Sequence, residues 1–328
     1  MTPTRREFLG ITALAGLGLD AVASPVRAAE PSVAGSRKRQ LRIAHLTDMH
    51  VQPELEAARG LESCFAHVQT LAERGLAPAD MILTGGDTIM DSLAADMGRT
   101  KTQWSLWKKA KSDHCSLDIK SVIGNHDVWG WTQSRANTKG DEPLYGKKWA
   151  CEEFGRALPW ESFDKAGWHV VLLDSTFPHK DSYIGKLDDA QWDWLEQDLA
   201  SIPATVPILL VSHIPILSAY PVAVTKPVVG PDGRPDIEVA GNLVHTDLER
   251  FQKLFAKHKN VKACISGHLH VVEQIDYGGV RYLCSGAVSG GWWRGLHRGT
   301  DFGYSLVDLY DDGTVESTYV AYGWQARS

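Results

Sequence analysis

Two short segments place a pair of metal-donor side chains two residues apart, Asp48-Met49-His50 and His268-Leu269-His270. On extended backbone, alternate side chains leave the chain on one side, so each pair can hold one metal ion or bridge two. Asp87 follows Gly85 and Gly86, which let the backbone turn sharply and bring a carboxylate close to its surroundings. Asn125, within Gly124-Asn125-His126-Asp127, adds a neutral carbonyl oxygen, and His213 adds another imidazole. Carboxylate and imidazole donors together suit Mn, Fe, Zn, Ni or Co, and the lack of cysteine in the set argues against a thiolate site. Taken singly each element is weak, because a lone histidine is more often a hydrogen-bonded structural residue. His45, His67, His114, His169, His179, His245, His258 and His297 are read that way. The weight lies in the joint pattern, since every cluster ends a separate apolar run.

Those runs are the elements that must position the donors. Leu41 to Leu46, Asp80 to Leu83, Ser121 to Ile123, Trp168 to Leu173, Pro207 to Val211 and Val261 to Ile265 are short, rich in Ile, Val and Leu, and each stops at a polar cluster. Helix-like stretches lie between them, at Gly60 to Arg74, Asp188 to Ala200 and Thr246 to His258, and Trp104 and Trp107 mark one face of another. Alternating strands and helices predict an α/β fold, whose ligands bind beyond the carboxyl ends of the strands. Val280 to Ala287 and Gly303 to Tyr322 alternate apolar and polar residues, with a hairpin turn at Asp311-Asp312-Gly313. They are expected to form a second, more antiparallel sheet packed on the first. Val128 to Trp160 and Pro215 to Asn242 read as inserted loops that shape access to the strand ends.

In this order, Asp48-Met49-His50, Gly86-Asp87, Gly124-Asn125-His126-Asp127, His213 and Gly267-His268-Leu269-His270 resemble the motifs of the calcineurin-like metallophosphoesterase family. The resemblance runs from about residue 41 to 270 and implies a double β-sheet sandwich flanked by helices, with a dimetal site at the carboxyl ends of the strands. It implies that Asp48, His50 and His270 hold one metal, that Asn125, His213 and His268 hold the other, and that Asp87 bridges them. The implied cofactors are two divalent or trivalent ions, and the implied reaction is in-line attack on a phosphate ester by a metal-bridging hydroxide. His126 belongs to neither metal set and is expected to protonate the departing alkoxide, with Asp127 orienting its ring. Met90 stands where the purple acid phosphatase branch has a tyrosine, so a ferric-tyrosinate centre is not expected and phosphodiesterase-like branches fit better. Trp129, Trp293 and Arg294 are candidate substrate contacts, the aromatics by stacking and the arginine by pairing with phosphate. A phosphomonoesterase and a non-catalytic metal-dependent binding module are the alternatives.

The remainder of the chain sets the context. Thr4-Arg5-Arg6-Glu7-Phe8-Leu9 precedes an apolar stretch and small residues up to Ala29, the order of a secretory leader. The paired arginines resemble a twin-arginine export signal, which implies an export translocase as a transient partner and a soluble periplasmic product without a stable membrane anchor. The expected organisation is a signal peptide over 1–28, a linker over 29–40 and one domain over 41–328. The 328 residues carry 34 Lys and Arg against 40 Asp and Glu, a net charge of −6, which argues against a nucleic-acid polymer as partner. Five cysteines without a CxxC pair argue against a disulfide framework or a structural zinc site, with one or two disulfides left open for an exported chain.

Overall fold

The computed structural model describes residues 37–326, so the leader expected over 1–28 lies outside the described residues. In chain order the strands of the two large sheets are β1 (Arg39–Leu46), β2 (Met81–Thr84), β3 (Ile119–Ser121), β4 (Glu161–Lys165), β5 (Trp168–Leu172), β6 (Ile208–Val211), β7 (Val261–Ser266), β8 (Val272–Tyr277), β9 (Val280–Ser285), β10 (Gly303–Tyr310) and β11 (Val315–Ala321). The main helices are α1 (Ala57–Gln69), α2 (Met97–His114), α3 (Asp189–Ser201) and α4 (Leu248–Lys257). One sheet has the order β11-β10-β1-β2-β3 and the other β8-β9-β7-β6-β5-β4.

The central strands read as near-continuous apolar runs because both of their faces are covered. Ile43, Leu83, Val170, Leu209, Ile265 and Val307 meet between the two sheets. On the outer face of the first sheet Ile82 packs with Phe65 of α1 and Trp104 and Trp107 of α2. On the outer face of the second, Val171 and Leu210 pack with Trp192 of α3 and Phe251 of α4. The double sandwich flanked by helices is therefore the fold. Two helix starts are capped by side chains: Asp96 accepts from the Arg99 amide and Asp188 from the Gln191 amide, each worth roughly 1 kcal/mol.

The carboxyl-terminal strands depart from expectation. They build no separate sheet. β9 lies parallel to β7 in the second sheet, whereas β10 and β11 return to the first, β10 pairing antiparallel with β1. Alternation reveals that a segment is a strand but not which edge it joins. Here β10 is buried on both faces, Val307 and Leu309 inward and Tyr304 and Leu306 toward the helices, so it fills an internal position. The turn after Tyr310 forms as expected, with Gly313 at φ 81°. Among the described residues no helix is long and apolar enough to cross a membrane. All five cysteines are free thiols.

Candidate metal centre

Each donor cluster lies just past the carboxyl end of a strand: Asp48 and His50 after β1, Asp87 after β2, Asn125 after β3, His213 after β6, and His268 and His270 after β7. The loops are sewn to one another by their backbones. The Asp48 amide donates to the Gly86 carbonyl at 3.0 Å and the His50 amide to the Asp87 carbonyl at 2.9 Å. The D-x-H and H-x-H pairs are not extended, which corrects the sequence expectation. Asp48, His50, Asp87, His268 and His270 all take left-handed backbone, with φ of 54°, 44°, 50°, 70° and 54°. On a strand, two residues would stand roughly 6.6 Å apart along the chain; the left-handed turns fold them over the sheet edge so that both side chains converge. Such conformations cost on the order of 1–3 kcal/mol each and persist only where surrounding structure enforces them. Gly86 is required here: it has φ 88°, and a Cβ would lie 2.7 Å from the His213 ring and 2.8 Å from the Gly124 nitrogen.

The donor atoms form two groups that share Asp87. His50 Nε2 and His270 Nε2 are 3.1 Å apart, and Asp48 Oδ1 is 3.3 Å from His270 Nε2. In the second group His213 Nε2 lies 3.1 Å from Asn125 Oδ1, 3.1 Å from His268 Nδ1 and 3.2 Å from Asp87 Oδ2. Asp87 Oδ2 is also 3.7 Å from His50 Nε2.

The outer ring nitrogens decide what these contacts mean. His213 Nδ1 donates to the Gly85 carbonyl, His268 Nε2 to the Asn242 carbonyl and His270 Nδ1 to the Gly290 carbonyl. When a cation is bound and the rings are neutral, their inward nitrogens carry lone pairs. Lone pairs facing each other at 3.1 Å repel unless positive charge lies between them. Asp48 Oδ1 points the same way, buried and without a hydrogen-bond partner, while Oδ2 accepts from Thr47 Oγ1 and the His268 amide. Ligands around one ion at about 2.1 Å sit roughly 3.0–3.4 Å apart, so the residues fit two metal ions.

Electrostatics agree. Burial would raise Asp87, but the facing His213 and His126 rings hold it well below the ordinary carboxylate range. Burial likewise opposes the ionised form of Asp48, which His270 holds low. His213 is driven down by burial yet carried up to about 9, chiefly by Asp87. Burial lowers His268 to about 4, with His213 adding to the effect. Two ionised, buried carboxylates thus create a potential that retains positive charge among the donors.

The centre opens into a cavity of about 250 Å³. His50, Asp87, Asn125, His126, His268 and His270 reach it, with Tyr183, Tyr220, Asn242, Trp292 and His297 forming its outer wall. The His126 side chain is 27% exposed, and its backbone is fixed on both sides, the amide donating to Asp87 Oδ1 and the carbonyl accepting from Ser92 Oγ. Asp127 does not touch the His126 ring, contrary to the expected orienting role. Its buried carboxylate accepts the Thr88 and Ile89 amides on Oδ1 and the Gly124 amide on Oδ2, tying the Asp87 loop to the Asn125 turn.

The expected substrate contacts also shift. Trp129 is 2% exposed, donates to the Ala95 carbonyl and packs edge-on against Trp149. Trp293 is 1% exposed and turned into the interior. Arg294 is exposed and is not among the cavity-lining residues. Trp292 is the tryptophan at the cavity, stacked on His270 with ring centres 4.3 Å apart. Of two adjacent tryptophans the sequence cannot tell which faces the site. Tyr183, Tyr220 and Asn242 carried no spacing signal, because they arrive on a hairpin and an insertion far from the motifs.

The family model for calcineurin-like phosphoesterases matches residues 41–272. No curated protein sequence matches the chain. Among solved structures, a dimetal phosphatase from Danio rerio is similar at a TM-score of 0.54 and 15% identity, covering 87% of this chain and 100% of its own. GAP50, the anchor in the inner membrane complex of Plasmodium, is similar at 0.51 and 18%, covering 87% and 86%. At these identities the likeness speaks for the fold. With the family model spanning most of the chain and carboxylate and imidazole donors converging at its strand ends, the protein belongs to the calcineurin-like phosphoesterase family and is a metal-dependent phosphoester hydrolase.

Proposed function

We propose that this hydrolase acts on small phosphodiesters or nucleotide-type esters, in the periplasm after export through its twin-arginine-type leader. In this reading Asp48, His50 and His270 hold one ion, Asn125, His213 and His268 the other, and Asp87 is shared. Bound there, two cations activate water and neutralise phosphoryl charge.

The observation that carries the substrate class is the cavity wall. No lysine or arginine is among the described residues that line it, whereas Tyr183, Tyr220 and Trp292 offer aromatic surface. A diester brings one negative charge, which the centre itself can meet. A monoester brings close to two, and such sites commonly add a cationic clamp. The aromatic wall suits the organic group that a diester presents on either side of phosphorus.

The chain's own residues have separable tasks. Asp127 holds the Asp87 loop against the Asn125 turn, which sets the spacing between the two donor groups. The His126 ring stands at the cavity 4.8 Å from the His50 ring, and its Nδ1 has no partner within the protein. It donates a proton from a ring nitrogen to the departing ester oxygen and regains it from solvent.

Metal analysis of the purified protein, followed by parallel assay of bis(p-nitrophenyl) phosphate and p-nitrophenyl phosphate, tests the reading. Two ions per chain and preferential diester turnover are expected; preferential monoester turnover overturns the substrate class. For the location, cell fractionation of the wild type and an Arg5→Lys, Arg6→Lys variant should show periplasmic and retained protein respectively. Equal distribution of the two would refute it.

A further inference from the structure

Residues 288–293 lie beyond the segment matched by the family model, yet they wrap the first donor group. The Val288 and Ser289 amides donate to the Thr47 and Asp48 carbonyls at 2.9 and 3.2 Å. The Gly290 carbonyl accepts His270 Nδ1 at 2.6 Å. Trp292 stacks on the His270 ring at an interplanar angle of 28°. Trp293 forks its Nε1–H between the Met49 and His50 carbonyls, 3.0 Å from each. Every one of these contacts falls on Thr47 to His50 or on His270.

Two features separate this arrangement from ordinary core packing. Trp292 and Trp293 are consecutive aromatic residues in left-handed backbone, φ 53° and 67°, a conformation that costs on the order of 1–3 kcal/mol per residue. Phenylalanine would fill much of the interior position of Trp293 but would lack the N–H. That N–H is spent on the two carbonyls flanking the left-handed turn that aims His50. The ring is also wedged from behind. A Cβ on Gly60 of α1 would lie 2.1 Å from it, and Phe302 stacks alongside at 6.0 Å.

We infer that Trp293, with Trp292, is a clamp that sets the metal affinity of the Asp48, His50 and His270 position independently of the Asn125, His213 and His268 position. The inference rests on the dimetal reading above. Trp293 is a positioning residue: it holds the peptide whose φ directs His50, while Trp292 holds the plane of His270. Partners behind metal ligands commonly govern affinity by 10–100-fold.

The test is Mn²⁺ titration by calorimetry in two single-position backgrounds, His213→Ala leaving the first position and His270→Ala leaving the second. Trp293→Phe is expected to weaken Mn²⁺ binding roughly 10–100-fold in the first background and to leave the second unchanged. Gly60→Ala, which displaces the ring without altering it, should reproduce the selective loss, although alanine ordinarily favours a helix. Equal weakening in both backgrounds would make Trp293 a general packing residue and overturn the clamp, as would no change in either. Absence of Mn²⁺ binding by the wild type and by both backgrounds would instead overturn the dimetal reading, and the clamp with it. Should Trp293→Phe fold poorly, Trp292→Leu in the first background reports on the stacked half, and unchanged binding there refutes it.

Discussion

Adding one methyl group at Gly124 should disable the centre. Gly124 has φ −97° and ψ 174°, which alanine adopts without strain, so any effect is steric. A Cβ there would lie 2.1 Å from the Asp87 nitrogen and 2.2 Å from Asp87 Oδ1. That is about 1.3 Å short of the 3.4 Å at which ordinary contact begins. The obstacle is backbone, not the flexible end of a side chain, so the Asp87 loop and the Asn125 turn must separate by about that distance. Asp127 resists the separation through its bonds to Thr88, Ile89 and Gly124, and overpacking of this kind costs roughly 1–3 kcal/mol. Displacement of a reacting group by about 1 Å lowers turnover on the order of 100-fold. Gly124→Ala is therefore expected to fold, to melt a few degrees lower, to bind the second metal ion weakly, and to hydrolyse a chromogenic diester roughly two orders of magnitude more slowly. Thermal melting, metal stoichiometry and kcat on one preparation decide the matter. Turnover within about threefold of wild type with full metal content would show that the two loops are not held in register, and the account of Asp87 as a shared donor would fail.

Other outcomes follow from the same structure. Asp127→Ala leaves three buried amides without an acceptor and should lower stability by about 3–5 kcal/mol in urea unfolding; reduced turnover with an unchanged midpoint would restore the orienting role. Asp87→Asn should lose metal and activity while far-ultraviolet circular dichroism stays native, and full turnover by a metal-loaded variant contradicts the mechanism. Removal of metal by chelator should lower the melting temperature, and free Mn²⁺ at 100 times its Kd should restore about 2.7 kcal/mol; an unchanged melt would argue that no ion binds the folded chain. Remote from the centre, burial works to lower His169, yet Asp198 and Asp164, at 2.9 and 2.7 Å, raise it above its ordinary value. A raised histidine contributes stability that is complete below the unfolded value of about 6.5 and is lost as pH climbs through the folded value. The melting difference between wild type and His169→Gln should thus be larger at about pH 6 than at about pH 9, and a difference that grows with pH would reverse the assignment.

The two halves of this protein's description have different origins. The donor set was legible in the chain: Asp48, His50, Asp87, Asn125, His213, His268 and His270 follow separate apolar runs, and strand carboxyl ends are where an α/β sheet gathers its ligands. The stretch over 215–242 does bring Tyr220 and Asn242 to the cavity, whereas none of the cavity-lining residues comes from 128–160, which holds the short helices Gln133–Ala136 and Lys148–Glu153. Roles that depend on direction were not legible. Asp127 follows His126 directly, yet its carboxylate turns away to three backbone amides; Trp292 and Trp293 are neighbours, yet one walls the cavity and the other braces the interior. The left-handed backbone at five donors was hidden for the same reason, since spacing fixes how far apart two residues are along a chain but not the φ at which each leaves it. The placement of Gly303–Tyr310 beside Arg39–Leu46 depended on which edge lay open once the earlier strands had paired, a competition among distant segments. Local chemistry and periodicity determined which residues gather as candidate donors and on what kind of element they sit. Only the tertiary structure, where long-range packing and the pairing of every buried amide must be satisfied together, decided which way each of them points.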